Sequence, residues 1–272
     1  MTLDYNATVT LRVDLVPGTM VLRVKLDDGK PFPFEAGQYT ILGLKRSSSR
    51  VAGASDDRPE LRGKPHDFMV RRAYSITSSS SSTELEFVVT LIRSGDLTPR
   101  LFALKEGSRI FVEPKASGIF TLTTSSGNRD LLLACTGSAL APYLSMIRSR
   151  FPQNQEHQYV IVHAAAVSWD LSFRAQIEEL AAQSRHLTYL PTLTEPERDK
   201  SWHGLTGPVE ALIKAGEIED AIGMPITPDR FDVFLAGSPE MVDAVTAELE
   251  RREFKSGASN DPDTNIFAER YW

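Results

Sequence analysis

The segment Arg71-Arg72-Ala73-Tyr74-Ser75-Ile76-Thr77 places a guanidinium, a phenol ring and a hydroxyl within four residues, just before the alternating run Leu85, Phe87, Val89 and Leu91. That composition suits a flavin and its phosphates. Arg72 can neutralise a pyrophosphate, Tyr74 can lie flat on an isoalloxazine ring, and the Ser75 hydroxyl can reach the flavin N5 edge. An ordinary strand with a surface arginine fits these residues equally well. Further on, Gly95-Asp96-Leu97-Thr98-Pro99 breaks a strand pattern and predicts a helix at about residues 100–104, with Thr98 as N-cap and Pro99 at the first helical position. Backbone N–H groups at such a start can bind a phosphate, although most Gly-Asp turns before a helix bind nothing.

Two other turns have the chemistry of a dinucleotide site. Ala134-Cys135-Thr136-Gly137-Ser138-Ala139-Leu140-Ala141-Pro142 follows a continuous apolar run and opens a helix, and its small residues would let a pyrophosphate approach the backbone. It lacks the Gly-x-Gly-x-x-Gly fingerprint, so an ordinary tight turn remains an alternative. Phe234-Leu235-Ala236-Gly237-Ser238-Pro239-Glu240-Met241-Val242 repeats the arrangement, with a cap-like Ser-Pro pair, and two such turns point to one crevice. The chain ends Phe267-Ala268-Glu269-Arg270-Tyr271-Trp272, on two aromatics that a solvated tail would rarely carry. Packing of the tail into a core is the other explanation.

The elements that must position these residues change character midway. In the first half Val9, Leu11, Val13 and Leu15 alternate with Thr8, Thr10, Arg12 and Asp14, and apolar runs at 39–44 and 109–112 are separated by Gly, Pro and Asp clusters. Many short half-buried strands predict a barrel or sandwich. After a linker at 123–129, the runs 131–135, 159–163 and 231–235 are apolar without alternation, as in strands buried on both faces. Between them lie helical periods at 141–150, at 171–183 with Phe173, Ile177 and Leu180 on one stripe, and at 240–251 with Val242, Val245 and Leu249. Alternating strand and helix predicts a doubly wound parallel sheet. The expected organisation is therefore a barrel or sandwich over residues 1–124 and a parallel-sheet domain over 125–272. The only low-complexity tract is Ser78 to Ser82.

With 272 residues, 41% hydrophobic and 24% charged, the chain can form two ordinary domains. No run of about 18 apolar residues appears and the first 14 residues alternate, so a cytoplasmic protein without a membrane segment is expected. Cys135 is the only cysteine, which excludes an internal disulfide and a cysteine-ligated zinc or iron–sulfur cluster within this chain. No metal site is expected, and an iron–sulfur partner must be a separate protein. A formal charge of −6 gives no global attraction to nucleic acid or anionic membrane. Residues 45–65 depart from that mean, with six basic side chains against three acidic ones in a stretch rich in Ser, Gly and Pro. They read as a long loop, either docking an acidic partner or simply solvated.

Taken together, the motifs resemble the ferredoxin–NADP(+) reductases, specifically the bacterial type whose chain ends in Tyr-Trp. The resemblance covers nearly the whole chain: Arg-x-Tyr-Ser at 72–75, Gly-x-Leu-Thr at 95–98, Thr-Gly-x-Ala-x-x-Pro at 136–142, His163-Ala164-Ala165, Leu205-Thr206-Gly207, Gly237-Ser238-Pro239-Glu240-Met241-Val242 and the tail. It implies a six-stranded antiparallel FAD-binding barrel followed by a doubly wound nucleotide-binding domain, with non-covalent FAD held by Arg72, Tyr74, Ser75, Ile76, Thr77, Gly95, Leu97, Thr98, Tyr271 and Trp272. Tyr74 and Tyr271 would sandwich the isoalloxazine, Trp272 would stack on the adenine, and Arg72 with Thr98 would meet the pyrophosphate. Ser75, Tyr74 and Glu269 would serve hydride transfer, and Thr136, Gly137, Ala166, Glu195, Gly237, Ser238 and Met241 would position NADH or NADPH. The implied partner is a ferredoxin or flavodoxin-like carrier.

Several positions depart from that pattern. Ala166, Glu195 and Pro208 stand where the bacterial reductases carry arginines that grip the 2′-phosphate of NADP, which puts NADPH preference in doubt, although Arg198, Lys200 or Arg174 could substitute. Ala236 replaces a frequent cysteine, and the 45–65 loop is longer than in compact members. Rival readings are the NADH-oxidising reductase component of an oxygenase and a flavin-binding subunit that works only within a larger complex.

Overall fold

The structure, a computed structural model, describes residues 4–124, 128–151, 156–257, 261 and 263–271. Sequence alternation runs the length of β1 (Ala7–Val16), but inward-facing alternation holds only at its start, where Ala7 and Val9 are buried. Pairing with β2 (Thr19–Leu26) shifts register between Val9 and Leu11 and again between Asp14 and Val16. Each irregularity re-aims the residues after it. Val13 is consequently 42% exposed although the pattern puts it on the core face.

The other strands of this unit are β3 (Tyr39–Lys45), β4 (Met69–Ser75), β5 (Leu85–Thr90) and β6 (Arg109–Val112), joined in part by the single helical turns α1 (Pro59–Arg62) and α2 (Thr98–Leu101). All pair antiparallel in the order β4-β3-β6-β1-β2-β5. Just beyond β4 the Thr77 amide donates to the Glu86 carbonyl of β5 at 2.8 Å, drawing the two edge strands together. The six-stranded sheet so closes around Val9, Leu22, Leu42, Phe87, Leu101 and Val112.

The chain divides into two compact units, Met1–Gly118 with Ala141–Ser149, and Ile119–Leu140 with Arg150–Trp272. Helix α3 (Ala141–Arg150) therefore packs for nearly all its length with the barrel strands. Its polar contacts fall on the serine tract: Ser145 Oγ donates to the Ser78 carbonyl at 2.8 Å, and the Ser80 amide donates to Ser149 Oγ at 2.9 Å. Small side chains leave the backbone of that tract reachable. Arg148 completes the attachment, donating to the Thr77 carbonyl at 3.0 Å and to Glu86 Oε1 at 2.6 Å.

In the second unit β7 (Asp130–Thr136), β8 (Tyr159–Ala165), β9 (Leu187–Leu193), β10 (Leu205–Thr206), β11 (Phe231–Gly237) and β12 (Ile266–Arg270) form one parallel sheet in the order β10-β9-β8-β7-β11-β12. The connecting helices are α4 (Arg174–Ala182), α5 (Val209–Ala215), α6 (Glu217–Ile222) and α7 (Pro239–Glu250). Strands β7, β8 and β11 are buried on both faces, as their unbroken apolar runs require. Val242, Val245 and Leu249 of α7 are buried as expected.

The expected stripe on α4 is corrected. Phe173 has φ 61°, a left-handed conformation that keeps it outside the helix, so the helix begins at Arg174. Only Ile177 is buried there, and Leu180 is exposed. The edge strand β12 escaped the sequence pattern because its apolar run is just Ile266, Phe267 and Ala268 before a charged pair. Among the described residues no helix is long and apolar enough to cross a membrane.

Candidate functional site

The parallel sheet changes direction between β7 and β11. From β7 the chain adds strands outward through β8 and β9 to β10, then returns to add β11 and β12 on the other side. In open α/β sheets the crevice at the carboxyl ends of such a strand pair is where ligands bind. Thr136 and Gly237 end those two strands, and the Ser238 amide donates to Thr136 Oγ1 at 3.1 Å. Gly237 has φ 146°, and a Cβ there would lie 2.1 Å from Thr136 Oγ1 and 3.2 Å from the Met241 Cε, so the turn admits no side chain. Ser238 caps α7, its side chain accepting from the Met241 amide at 3.3 Å, with Pro239 in the first turn. Thr136, Gly137, Gly237, Ser238 and Met241, which the resemblance groups around a nicotinamide nucleotide, are thus neighbours.

Register carries the arrangement outward. Cys135 pairs with Ala236, and Ala236 with Glu269. The Tyr271 amide donates to the Gly237 carbonyl at 2.9 Å, and the Tyr271 hydroxyl donates to Glu269 Oε2 at 2.7 Å. Burial raises the Glu269 carboxyl above its usual range, against the opposing pull of that hydroxyl. Trp272 lies outside the described residues.

Behind the turn lies a hydrogen-bonded relay through His163, a residue that the motifs include without giving it a role. His163 of β8 is fully buried, with Nε2 2.9 Å from the Gly137 carbonyl and Nδ1 3.0 Å from the Tyr189 hydroxyl. A carbonyl only accepts, so Nε2 carries the proton and Nδ1 accepts from Tyr189. Burial holds the ring neutral, lowering its pKa to about 4 despite the favourable Gly137 carbonyl. A histidine inside an apolar strand is the signal that could have disclosed it.

Ala166, Glu195 and Pro208 follow the carboxyl ends of β8, β9 and β10. The Glu195 amide donates to the Ala166 carbonyl at 3.0 Å, which brings the first two together. Arg198 folds back onto the Glu195 carboxylate in a short contact. Arg174 is engaged elsewhere, stacked 4.8 Å from the Trp202 ring centroid and bonded to Glu178 at 2.6 Å.

The barrel motif is arranged along the end of β4. Tyr74 is half-buried against the barrel core, and its hydroxyl is pushed above the usual phenol range by burial, with Arg72 pulling the other way. Ser75 is nearly buried, while Ile76, Thr77 and Leu97 have fully buried side chains. Thr77 is taken up by the scaffold: its amide bonds Glu86, its carbonyl Arg148 and its hydroxyl Glu86 Oε1. Arg72 is half exposed and donates to Asp96 Oδ2 at 3.3 Å. That joins the β4 motif to the Gly95 turn, where a Cβ would lie 3.0 Å from the Ile92 carbonyl.

Thr98 is not the N-cap expected. It is the first residue of α2, Leu97 occupies the cap, and Thr98 Oγ1 both accepts from the Ile92 amide and donates to its carbonyl at 3.0 Å. Its hydroxyl closes the turn on itself, and α2 is a single turn ending at Leu101. Residues 45–65 are likewise no free loop. Arg46, Arg50 and the buried Arg100 converge on Asp57, at 3.4, 2.9 and 2.8 Å, and the Arg62 side chain bonds the Asp57 carbonyl at 2.9 Å. Arg46, Arg50 and Arg62 are thus held by internal bonds, although three guanidiniums around the one Asp57 carboxylate leave that cluster net positive.

The donor sets suit the groups that the resemblance implies. A half-exposed guanidinium beside a half-buried phenol fits a flavin with its diphosphate, and a side-chain-free turn at a sheet switch point fits a dinucleotide. Comparison with known proteins agrees. Residues 133–247 match the oxidoreductase NAD-binding domain family. The chain is 34% identical over 240 residues, 88% of each chain, to the flavodoxin/ferredoxin–NADP reductase of Shigella flexneri. It is 28% identical over 272 residues, 99% of this chain and 66% of the other, to the phenol 2-monooxygenase reductase component DmpP of a Pseudomonas species. A solved ferredoxin NADP+ reductase from Neisseria gonorrhoeae, with bound FAD and NADP, superposes with a TM-score of 0.82 at 21% identity, covering 99% of both chains. The chain belongs to the flavodoxin/ferredoxin–NADP reductase family.

Proposed function

We propose that the protein is an FAD-dependent reductase that transfers electrons between NAD(P)H and a ferredoxin or flavodoxin. The observation that carries this is the Thr136–Gly237 junction at the sheet switch point, a backbone crevice with Glu269 and Tyr271 attached through β12. Bound FAD would supply the conversion of a hydride pair into single-electron transfers. The protein's residues orient and shield. Arg72 neutralises diphosphate charge, Tyr74 offers its ring face, and the Ser75 hydroxyl is a hydrogen-bond donor at the reacting end. The Thr136 and Gly237 backbones position the nicotinamide nucleotide, and Glu269 holds a proton-accepting carboxyl near them.

The test is direct. Purified protein should carry one FAD per chain, reduce ferricyanide with a nicotinamide nucleotide, and pass electrons to ferredoxin or flavodoxin. A colourless protein that cannot be reconstituted with FAD would overturn the reading. The likeness to DmpP across the whole chain favours one second reading, the reductase component of an oxygenase, whose iron–sulfur centre would not be held by cysteines of residues 1–272, where Cys135 is the one cysteine. Reduction of an oxygenase-type iron–sulfur protein, with no turnover of ferredoxin or flavodoxin, would select it.

A further inference from the structure

The loop at 46–64 contributes a feature that the reductase motifs do not contain. Asp96, the variable residue of Gly95-Asp96-Leu97-Thr98, is almost fully buried, and two guanidinium groups share its Oδ2: Arg58 Nε at 3.2 Å and Arg72 Nη2 at 3.3 Å. The Arg58 backbone amide also donates to Asp96 Oδ1 at 3.4 Å. We infer that Arg58 is a second diphosphate-binding arginine, paired with Arg72 across Asp96, and that the 46–64 loop exists to present it. This rests on the reading of the barrel as an FAD site.

Charge and donor count support the pairing. Two guanidiniums around one carboxylate leave a net positive charge, and both side chains are about half exposed, at 54% for Arg58 and 51% for Arg72. Each guanidinium has five N–H donors, of which the bonds to protein use a minority. Two such forks held side by side match the adjoining anionic oxygens of a diphosphate better than either alone.

The loop is also built to hold Arg58 still. Its neighbour Asp57 is fixed by Arg46, Arg50 and Arg100, and Arg100, only 1% exposed, bonds the Arg46 carbonyl at 2.6 Å and the Asp96 carbonyl at 2.6 Å. Asp96 itself is therefore anchored through its backbone while its carboxylate aims both arginines. A pre-set donor loses less freedom on binding than a solvated arginine would.

The experiment measures FAD binding to apoprotein by quenching of flavin fluorescence, for wild type, Arg58→Ala, Arg58→Gln and Arg72→Ala, across a salt series. Expected are a Kd at least tenfold weaker in both Arg58 variants, a shallower dependence of log Kd on log salt, and weaker competition by inorganic pyrophosphate. Arg58→Gln retains a hydrogen-bond donor toward Asp96, so an unchanged apoprotein melting temperature in that variant separates lost charge from a collapsed loop. Kd within twofold of wild type in Arg58→Gln, with an unchanged salt slope, overturns the inference, as does a loss of affinity that merely tracks a lowered melting temperature. Failure of the wild type to bind FAD would instead overturn the flavin reading, so the two are distinguishable.

Discussion

At Gly237 the turn conformation and the contact with Thr136 exclude every side chain. A left-handed non-glycine residue costs about 1–3 kcal/mol, before the overlap with Thr136 is counted. Gly237→Ala should therefore raise KM for the nicotinamide nucleotide about tenfold or more while FAD content stays at wild type, and an unchanged KM would contradict the switch-point site. Coenzyme choice belongs to the same scale. Arg198, one of the possible substitutes for the missing arginines, is bonded to Glu195 and feels Asp170 and Glu197 as well, so carboxylates outnumber the guanidinium there. A charge-assisted hydrogen bond contributes about 1.5–3 kcal/mol, and losing two removes on the order of 3–6 kcal/mol of preference for the 2′-phosphate. NADH should be used at least as well as NADPH, and Glu195→Arg should raise kcat/KM for NADPH at least about tenfold. The kcat/KM ratio under identical salt decides it, and an NADPH preference above about a hundredfold, roughly 2.7 kcal/mol, would refute the expectation. Gly237 and Thr136 were legible because strand-turn-helix motifs are local. Asp96 and Arg58 were not, because their partnership spans 38 residues.

Among the elements, α3 depends on a buried carboxylate of β5. Glu86 is raised by burial, but bonds from Arg23 at 2.9 Å and Arg148 at 2.6 Å outweigh that and hold it below the usual range. Breaking a fully buried pair costs about 3–5 kcal/mol, and with Arg23 and Arg148 still 42% and 28% exposed a figure of about 1–3 kcal/mol is appropriate. Glu86→Gln should lower the melting temperature by about 2–10 °C, checked by thermal denaturation at pH 7. Elements whose apolar spacing is strong, such as α7 and the buried parallel strands, were legible before any coordinates. Others were not: α4 buries one residue, β1 loses its alternation at two register shifts, and β12 is a strand because β11 offers it an edge. In each case the missing information is a neighbour rather than a propensity.

For the molecule as a whole, the two units should respond differently to acid. His163 in the parallel-sheet unit is neutral when folded, with a pKa lowered to about 4, whereas an unfolded histidine titrates near 6.5. Below about pH 6.5 the unfolded chain gains a proton that the folded chain refuses, so this unit loses stability as pH falls from about 6.5 to about 4, by on the order of 3 kcal/mol. Glu86 and Asp57 in the barrel have lowered folded values, and their contribution is complete above about pH 4.3 and lost only below it. Trp169 and Trp202 belong to the parallel-sheet unit, so in a Trp272→Phe background tryptophan fluorescence reports it selectively. Its urea midpoint should drop between pH 7 and pH 5, and His163→Phe should flatten that dependence; an equally steep drop in the variant would assign the effect elsewhere. Two-domain organisation, strand class and the position of the turns after β7 and β11 were determined by the sequence alone, because periodicity and turn chemistry act over a few residues. Only the tertiary structure decided which charges are spent internally, since the ion pairs on Asp57, Asp96 and Glu86 and the relay through His163 join side chains far apart in the chain. Charge counted along a sequence cannot distinguish a solvated arginine from a buried one; desolvation and a fixed partner make that distinction.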